Sequence, residues 1–291
     1  MGDAHEIHLE DWVKQADKPA QPFREAIHIV LASITSSQEL QSRLVMKGGL
    51  LMAIRYSSTR FTKDIDFSTH DTYREGDEDK LVALLGQQID IAASKLNYDT
   101  TCLVQRFRIQ PKRPDKTFPS LALSVGYCAR SDQKAFERLQ ARQSPQVVQI
   151  DYSFNEAVLD IDIVKFEDGG ELRAYSFANF VAEKIRSLLP QPIRMRNRRQ
   201  DAYDLHLLLT TFASHTAAER EKVFTLLQAS CSARDIAANV DSMSAELVKR
   251  MAAAEYQSLR TDVKGDLPDF EEAFGTVERY YRLLPWARRI P

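Results

Sequence analysis

The sequence predicts an α+β fold, in which an α+β domain of residues 1–175 with a mixed or antiparallel sheet precedes a mainly helical domain of residues 176–291. β-rich segments bounded by Pro, Gly, Ser and Asn are concentrated between residues 100 and 165, as in strands joined by turns. Residues 216–291 instead have apolar side chains at helical spacing almost throughout. Hydrophobic residues make up 44% of the chain, which is enough for a sizeable core.

The N-terminal part alternates between helical and extended patterns. Residues 22–43 carry apolar side chains at helical spacing and predict one or two helices. A short apolar run, 44–46, meets the glycine turn 47–49, and the apolar residues 50–56 predict a short helix. Residues 64–67, Asp-Ile-Asp-Phe, then alternate as a strand does. The predicted order is therefore helix, glycine turn, helix and strand.

The later segments predict a helix, a run of strands and then helices. Residues 78–95 have helical periodicity. Meandering antiparallel strands are expected at 100–110, 121–129, 147–154 and 157–166. Ser176 is suited to cap the N-terminus of a helix that Pro190 ends, and residues 201–212 predict a further helix.

Composition and charge exclude several classes of protein. With 39 basic and 41 acidic residues the net charge is -2, so any nucleic-acid binding depends on local patches. The three cysteines form no CxxC pair, and neither a GxSxG nor a GxxxxGK[ST] motif occurs. No basic and apolar leader and no apolar run of about 18 residues is present. These features predict a reduced, cytoplasmic protein that does not enter a membrane.

Asp64 and Asp66 are the strongest candidates for a metal site. The two residues are two positions apart on a predicted strand, so their side chains project from the same face. Ile65 and Phe67 point the other way, towards a core. Two adjacent carboxylates repel each other unless a cation lies between them, and Mg²⁺ prefers oxygen ligands completed by substrate phosphates. The pair alone would also suit a solvated strand edge.

Gly48 and Gly49 precede this pair at the start of the predicted short helix. Glycines allow the backbone to approach a phosphate closely, and a helix N-terminus offers free N–H groups to it. Glycine turns are common, so neither feature is specific by itself. The order of turn, helix and acidic strand is more specific than either part.

The stretch GGLLMAIRYSSTRFTKDIDF, residues 48–67, resembles the signature of the AbiEii/MenT-type nucleotidyltransferase toxins, which belong to the DNA polymerase β-like superfamily. Three later stretches are similar to further family motifs: QIDYSFNE (149–156), SFANFVAEKIRSLL (176–189) and RNRRQDAYDLHLLL (196–209). These matches lie between about residues 44 and 210, in the family's order. The resemblance implies a polymerase β-like nucleotidyltransferase domain.

The resemblance also implies roles for the residues of the first motif. Gly48 and Gly49 would line the triphosphate of the nucleotide. Asp64 and Asp66 would hold Mg²⁺, with Asp64 at the position most often called catalytic. Thr62 occupies a hydroxyl position at the nucleotide site that is phosphorylated in some relatives as a means of silencing.

The helical motifs add further site residues. By resemblance, Lys184 contacts the phosphates of the nucleotide, and Asp201 or Asp204 completes the catalytic site. Lys184 falls on the apolar face of its helix, where a lysine either extends to solvent or is held inward by an anionic partner. The two aspartates share a face with leucines, where structural ion pairs of Asp204 with Arg199 or of Asp201 with Arg198 are alternatives. Asp201 could also cap its helix.

The third metal ligand is Asp151 or one of the two aspartates of the LDIDIV stretch, Asp160 and Asp162. Asp151 fits the surrounding family pattern better. The doubled DID motif leaves the alternatives open.

Two basic clusters are candidates for RNA binding, although charge runs are often simply solvated faces. The first consists of Arg194, Arg196, Arg198 and Arg199. The second consists of Arg106, Arg108, Lys112, Arg113 and Lys116, with Phe107 and Phe118 interleaved. Arginine suits phosphate, and aromatic rings can stack on unpaired bases.

Together these features predict a magnesium-dependent nucleotidyltransferase toxin. By resemblance, it transfers NMP from an NTP to the 3′ end of tRNA, which blocks translation, and a cognate antitoxin protein is its partner. Two alternatives remain: a protein-directed nucleotidyl- or phosphotransferase of the same fold, and a non-enzymatic helical binding protein.

Overall fold

The computed structural model describes residues 6–111 and 117–286, and these form seven β-strands and twelve α-helices. The strands are β1 (Val45–Lys47), β2 (Asp64–Ser68), β3 (Thr100–Gln110), β4 (Ser120–Ala129), β5 (Val147–Ser153), β6 (Ile161–Lys165) and β7 (Glu171–Tyr175). The first six helices are α1 (Leu9–Lys14), α2 (Gln21–Thr35), α3 (Gln38–Arg43), α4 (Gly48–Arg55), α5 (Asp77–Lys95) and α6 (Gln133–Gln140). The others are α7 (Phe177–Leu188), α8 (Gln191–Arg194), α9 (Arg199–Leu207), α10 (Ala217–Ser232), α11 (Glu246–Ala253) and α12 (Phe270–Arg282).

The chain divides into two compact units that do not follow one cut in the sequence. The first unit comprises Met1–Ile54, Lys63–Val158 and Asp162–Ala174. The second comprises Arg55–Thr62, Leu159–Ile161 and Tyr175–Pro291. A short segment just before β2 and another just before β6 thus belong with the helical unit. None of the described helices combines the length and the apolar composition that crossing a bilayer requires.

A seven-stranded mixed sheet, in the order β3-β4-β5-β2-β1-β7-β6, forms the first unit. β3, β4 and β5 are consecutive antiparallel neighbours, whereas β5 pairs with β2 in parallel. β1 is antiparallel to β2 and parallel to β7. The prediction of an α+β fold with a mixed sheet and a helical C-terminal region is confirmed.

The core of the first unit lies between this sheet and its helices α2 and α5. Residues 26–34 of α2 are all buried, as expected of a helix enclosed on every side. The two buried polar residues of that stretch have partners, because His28 Nδ1 lies 2.8 Å from the Tyr98 hydroxyl and Ser33 bonds to the Val30 carbonyl. α2 packs on α5 and on strands β3, β4 and β5.

The second unit is helical, and its first helix begins as the sequence predicts. Ser176 caps α7, since its hydroxyl accepts the N–H of Asn179. After α9 the helix continues as a π-helical turn, Leu208–Phe212, instead of the uninterrupted α-helix that periodicity predicts. Tyr56 contacts the rings of Phe177, Phe180 and Phe212, so the segment before β2 packs on α7 and on this turn.

Sequence patterns missed β1, β7 and helices α1 and α6. β1 has three residues, too few for alternation to be recognised, and β7 is a strand of only five residues directly before the Ser176 cap of α7. The predicted four-strand meander is wrong in its last strand. β6 lies at the opposite edge of the sheet, beside β7, because β2, β1 and β7 separate it from β5.

Candidate functional site

Asp64, Asp66 and Asp151, hereafter the carboxylate trio, meet on one face of the sheet. Asp66 and Asp151 are directly opposite each other in the parallel pair β2–β5, where neighbouring backbones are about 4.8 Å apart. Asp64 lies two residues before Asp66 and so shares its face. Ile65 and Phe67, which alternate with them, are completely buried. The strand pairing therefore forces three acidic side chains together.

Burial and like charge both act on Asp64. Partial burial raises the pKa of Asp64, and the negative charge of Asp151 raises it further, whereas Lys63 acts in the opposite direction. Each ionised member of the carboxylate trio is thus stabilised by any cation that binds between them.

Gly48 lies against this acidic face at the N-terminus of α4. Its φ is +75°, in the left-handed region that favours glycine. A Cβ built on Gly48 would lie 1.9 Å from Asp66 Oδ2 and 2.6 Å from Asp66 Cγ. The absence of a side chain at Gly48 therefore lets the Asp66 carboxylate sit directly on the backbone of the glycine turn. Gly49 follows in the first turn of α4 and is partly exposed.

Lys47 is a basic neighbour of the trio that sequence motifs did not single out. It is opposite Asp66 in the antiparallel pair β1–β2, so the two side chains share a face. Its ammonium lies 3.8 Å from a carboxylate oxygen of Glu156, and both side chains are largely buried. In the sequence, only the position of Lys47 directly before Gly48 could have indicated that it belongs to this site.

Part of the second basic cluster lies on the same face of the sheet. Arg108 is opposite Ala122 in β3–β4, and Ala122 is opposite Asp151 in β4–β5. Arg106, two residues before Arg108 in β3, is opposite Ser124 of β4. Both arginines are exposed. Lys112, Arg113 and Lys116 lie outside the described residues.

The chemistry of the carboxylate trio fits Mg²⁺. Its donors are hard carboxylate oxygens, the ligands that Mg²⁺ prefers. Within residues 6–111 and 117–286, no group of three or more His, Cys, Asp or Glu side chains is placed so that it could by itself hold a metal ion. A closed cage is not required, since Mg²⁺ is usually held by one or two carboxylates together with substrate phosphates and waters.

Of the three candidates for the third ligand, Asp151 alone is adjacent to Asp66 in the sheet. Asp162 lies on β6, three strands away from β2. Asp160 belongs to the second unit, where it forms a 2.7 Å ion pair with Lys222.

In the second unit, Lys184, Asp201, Asp204 and Arg60 form a buried charge cluster. The ammonium of Lys184 donates to Asp204 at 2.7 Å and to Asp201 at 3.0 Å. Arg60 donates two parallel 2.9 Å bonds to the two oxygens of Asp204, the fork geometry that arginine provides for carboxylates. Lys184 is 5% exposed and Asp204 is fully buried. Lys184 is therefore held inward by anionic partners.

The specific ion pairs considered from sequence are partly wrong. Arg199 bonds to Glu255 at 2.7 Å and not to Asp204. Arg198 does lie 3.8 Å from Asp201. Asp201 does not cap α9, because Arg198 occupies the N-cap position and Asp201 lies in the first helical turn. Arg60 was missed because it is 144 residues away from Asp204 in the chain.

Opposite charges determine the protonation of this cluster. Burial by itself would lower the pKa of Lys184, but the charges of Asp204 and Asp201 outweigh burial and raise that pKa. Burial would raise the pKa of Asp204, but Lys184 and Arg60 lower it. Both groups are therefore charged at neutral pH.

The remaining predicted residues belong to the second unit as well. Thr62 ends the segment Arg55–Thr62 and is partly exposed. Arg194 and Arg196 are exposed in and after α8, whereas Arg198 and Arg199 are partly exposed at the start of α9. Their roles, like those of Lys184, Asp201 and Asp204 towards a nucleotide, stay predictions.

Comparison with known proteins gives a family match and distant likenesses to solved structures. The family model described as nucleotidyl transferase AbiEii toxin, type IV toxin–antitoxin system, matches residues 29–276. The crystal structure of a candidate nucleotidyltransferase from H. pylori is 14% identical with a TM-score of 0.48, over 92% of this chain and 96% of that one. The crystal structure of JHP933 from Helicobacter pylori is 12% identical with a TM-score of 0.45, over 93% of each chain. No curated protein sequence matches significantly.

Gly48→Ala tests the contact between the glycine turn and Asp66. The added Cβ must displace the carboxylate and adopt a positive φ, so the free energy of unfolding in urea should fall by about 1–3 kcal/mol. Gly86→Ala in α5 is the matched control, since a Cβ there meets nothing within 4 Å. It should raise the free energy of unfolding by about 0.5–1 kcal/mol. Changes of equal sign in the two variants would refute the contact.

Asp204→Asn tests the buried cluster, because it leaves Arg60 and Lys184 with one carboxylate fewer. The free energy of unfolding near neutral pH should fall by about 3–5 kcal/mol. Since folding lowers the pKa of Asp204, its stabilisation is present above the ordinary aspartate pKa and is lost as the pH falls towards the folded value. The difference from wild type should therefore shrink as the pH is lowered through roughly 5 to 3. Asp266→Asn, an exposed control, should be nearly neutral, and a pH-independent difference for Asp204→Asn would exclude this explanation.

Proposed function

Because the chain belongs to the AbiEii nucleotidyl transferase toxin family of type IV toxin–antitoxin systems, we propose that it transfers NMP from an NTP to the 3′ end of tRNA and so blocks translation. Family membership makes the chain a nucleotidyltransferase toxin that uses an NTP and has an antitoxin partner. The non-enzymatic alternative does not agree with this membership. The tRNA acceptor, the use of magnesium and the residue roles below are the proposal.

The single observation that supports this chemistry best is the carboxylate trio against the glycine turn. Asp66 and Asp151 are opposite each other on adjacent strands, and Asp66 lies on the backbone of Gly48. Crowded carboxylates are unfavourable without a cation, and a glycine turn at a helix N-terminus suits phosphate. One face of the sheet therefore has groups for both parts of a metal–triphosphate substrate.

The trio would hold Mg²⁺ through its carboxylate oxygens. When bound, the metal would neutralise charge on the triphosphate and polarise the phosphoryl group under attack. The backbone N–H groups of Gly48 and Gly49, at the start of the eight-residue α4, would donate to phosphate oxygens.

In the transfer step, the 3′-hydroxyl oxygen of the tRNA forms a bond to the α-phosphorus of the NTP. The bond between the α-phosphorus and the β-phosphate oxygen breaks, and pyrophosphate leaves with that electron pair. A carboxylate oxygen of the trio accepts the hydroxyl proton. Positioning and charge neutralisation supply most of the rate acceleration in reactions of this type.

Lys184 would supply positive charge to the triphosphate. Arg60 and Asp204 fix its ammonium, and the longer of its two carboxylate bonds is the one to Asp201. Thr62 is proposed as the hydroxyl whose phosphorylation would silence the enzyme.

Labelled nucleotides test the proposed activity directly. Purified protein is incubated with Mg²⁺, total RNA and total protein, with each NTP labelled either at the α- or at the γ-phosphate. We expect the α-label in the tRNA fraction and the γ-label nowhere. An α-label confined to protein would instead favour the protein-directed alternative, and a γ-label on either polymer would indicate phosphotransfer.

Asp64→Asn should abolish incorporation of the α-label while retaining the shape of the side chain. In the absence of divalent ions its melting temperature should equal or exceed that of wild type, because repulsion with Asp151 is removed. Mg²⁺ plus NTP should raise the melting temperature of wild type but not of the variant. Asp90→Asn, an exposed position on α5, should behave as wild type. Full incorporation by Asp64→Asn would end the proposed role of this residue.

A further inference from the structure

One row of paired residues crosses five strands of the sheet and passes through the carboxylate trio. Lys47 of β1 is opposite Asp66 of β2, and Asp66 is opposite Asp151 of β5. Asp151 is opposite Ala122 of β4, and Ala122 is opposite Arg108 of β3. Since directly paired residues share a face, all five side chains lie on the same side of the sheet. The row is therefore basic at both ends and acidic in the middle.

A second row runs beside the first and ends at another arginine. Asp64 is opposite Gln149 of β5, Gln149 is opposite Ser124 of β4, and Ser124 is opposite Arg106 of β3. The side chains of Gln149 and Ser124 are joined by a 3.4 Å hydrogen bond. Arg106 and Arg108, hereafter the arginine pair, lie two strands away from Asp151, which is about 10 Å between backbones. The arginine pair thus borders the acidic face on its β3 side.

A β-bulge at Gln105 places the arginine pair on this face. Before the bulge, Val104 is opposite Val125, which is completely buried, and after the bulge Arg106 is opposite Ser124. Val104 and Arg106 would share a face in a regular strand, whereas Val125 and Ser124 point to opposite faces. Without the extra residue, the arginine pair would therefore point into the core.

Specific contacts hold this bulge in place. Gln105 is 6% exposed, its Nε2 donates to the Ser144 carbonyl at 3.1 Å, and its Oε1 accepts the Ser144 N–H at 2.7 Å. Gly126 makes room for it, because a Cβ built on Gly126 would lie 2.6 Å from Gln105 Cδ. Bulges commonly redirect side chains next to active sites. Here a buried glutamine and a glycine maintain one that directs two arginines towards the face of the trio.

The position of the glycine turn determines the side from which an acceptor approaches. Gly48 directly follows β1, so a triphosphate bound by the turn lies on the β1 side of the trio. In phosphoryl transfer, the attacking and leaving oxygens are roughly in line on opposite sides of the phosphorus. Because pyrophosphate leaves towards the glycine turn, the hydroxyl arrives from the side of β5, β4 and β3. The arginine pair lies on that side.

We propose that the arginine pair binds the phosphodiester backbone of the RNA acceptor just before its 3′ end and so directs the terminal hydroxyl to the trio. This inference rests on the proposed transfer to tRNA. RNA carries a phosphate at every nucleotide, and the guanidinium fork matches phosphate oxygens. Both arginines are exposed, so their guanidinium groups are accessible to the acceptor. An acidic segment of a protein partner and the outer phosphates of the NTP are competing occupants that the experiment distinguishes.

The double variant Arg106→Gln/Arg108→Gln tests the proposal, because it removes both charges and keeps polar side chains. Lys134→Gln/Arg138→Gln, at exposed positions of α6, is the control with an equal loss of charge. KM values for tRNA and for NTP are measured in the labelling assay. Binding of fluorescein-labelled tRNA is measured by anisotropy at several salt concentrations.

The KM for tRNA should rise about tenfold or more in the double variant, because two charge-assisted contacts are lost. The slope of the logarithm of the binding constant against the logarithm of salt concentration should fall by about 1.4, as expected for two phosphate contacts with single-stranded RNA. The KM for NTP and the rise in melting temperature with Mg²⁺ plus NTP should not change. The control should equal wild type in every measurement.

Each opposite outcome has a separate meaning. If the double variant keeps the wild-type KM for tRNA while wild type labels tRNA, the inference fails and the proposed function stands. A higher KM for NTP with an unchanged KM for tRNA would assign the arginine pair to the triphosphate. Loss of antitoxin binding with tRNA binding intact would assign it to the protein partner. If wild type does not label tRNA, the proposed function and the inference both fail.

Discussion

Repulsion between carboxylates that the strand pairing forces onto one face is the constraint on which this structure depends. Asp66 and Asp151 cannot separate without breaking the parallel pair β2–β5, and Asp64 follows from the alternation of β2. Partial burial raises the pKa of Asp64, and the negative charge of Asp151 raises it further. Adjacent like charges lower the stability of a fold. Where a protein keeps them, they are expected to belong to a functional site.

In the second unit, the buried carboxylates lie among cations of the same chain. Asp204 is fully buried, and the chain itself supplies the cations, from Arg60 in the segment before β2 and Lys184 in α7. Removal of either partner would leave a buried charge, which is why such clusters are sensitive to single substitutions. The buried acidic set of the second unit is therefore neutralised by cations of the chain itself.

The sequence predicted what depends on neighbouring residues and missed what depends on pairing between distant segments. The alternation of residues 64–67, the glycine turn and the Ser176 cap are local patterns, and all three occur in the structure. β1 and β7 are short and gain their hydrogen bonds from strands far away in the chain, so no local period indicates them. The bond of Arg60 to Asp204 has the same origin. The family motif indicated Asp151 as a candidate ligand. Only the pairing of the strands shows that Asp151 lies beside Asp66 and that Asp162 does not.

Divalent metal binding tests the central claim most directly. Isothermal titration of Mn²⁺, with a non-hydrolysable NTP present, should be compared for wild type, Asp151→Asn and Asp162→Asn. We expect Asp162→Asn to bind Mn²⁺ as wild type does and Asp151→Asn to bind about tenfold more weakly or worse. Equal affinity of Asp151→Asn and wild type, or loss of affinity in Asp162→Asn alone, would contradict a metal site built from β2 and β5.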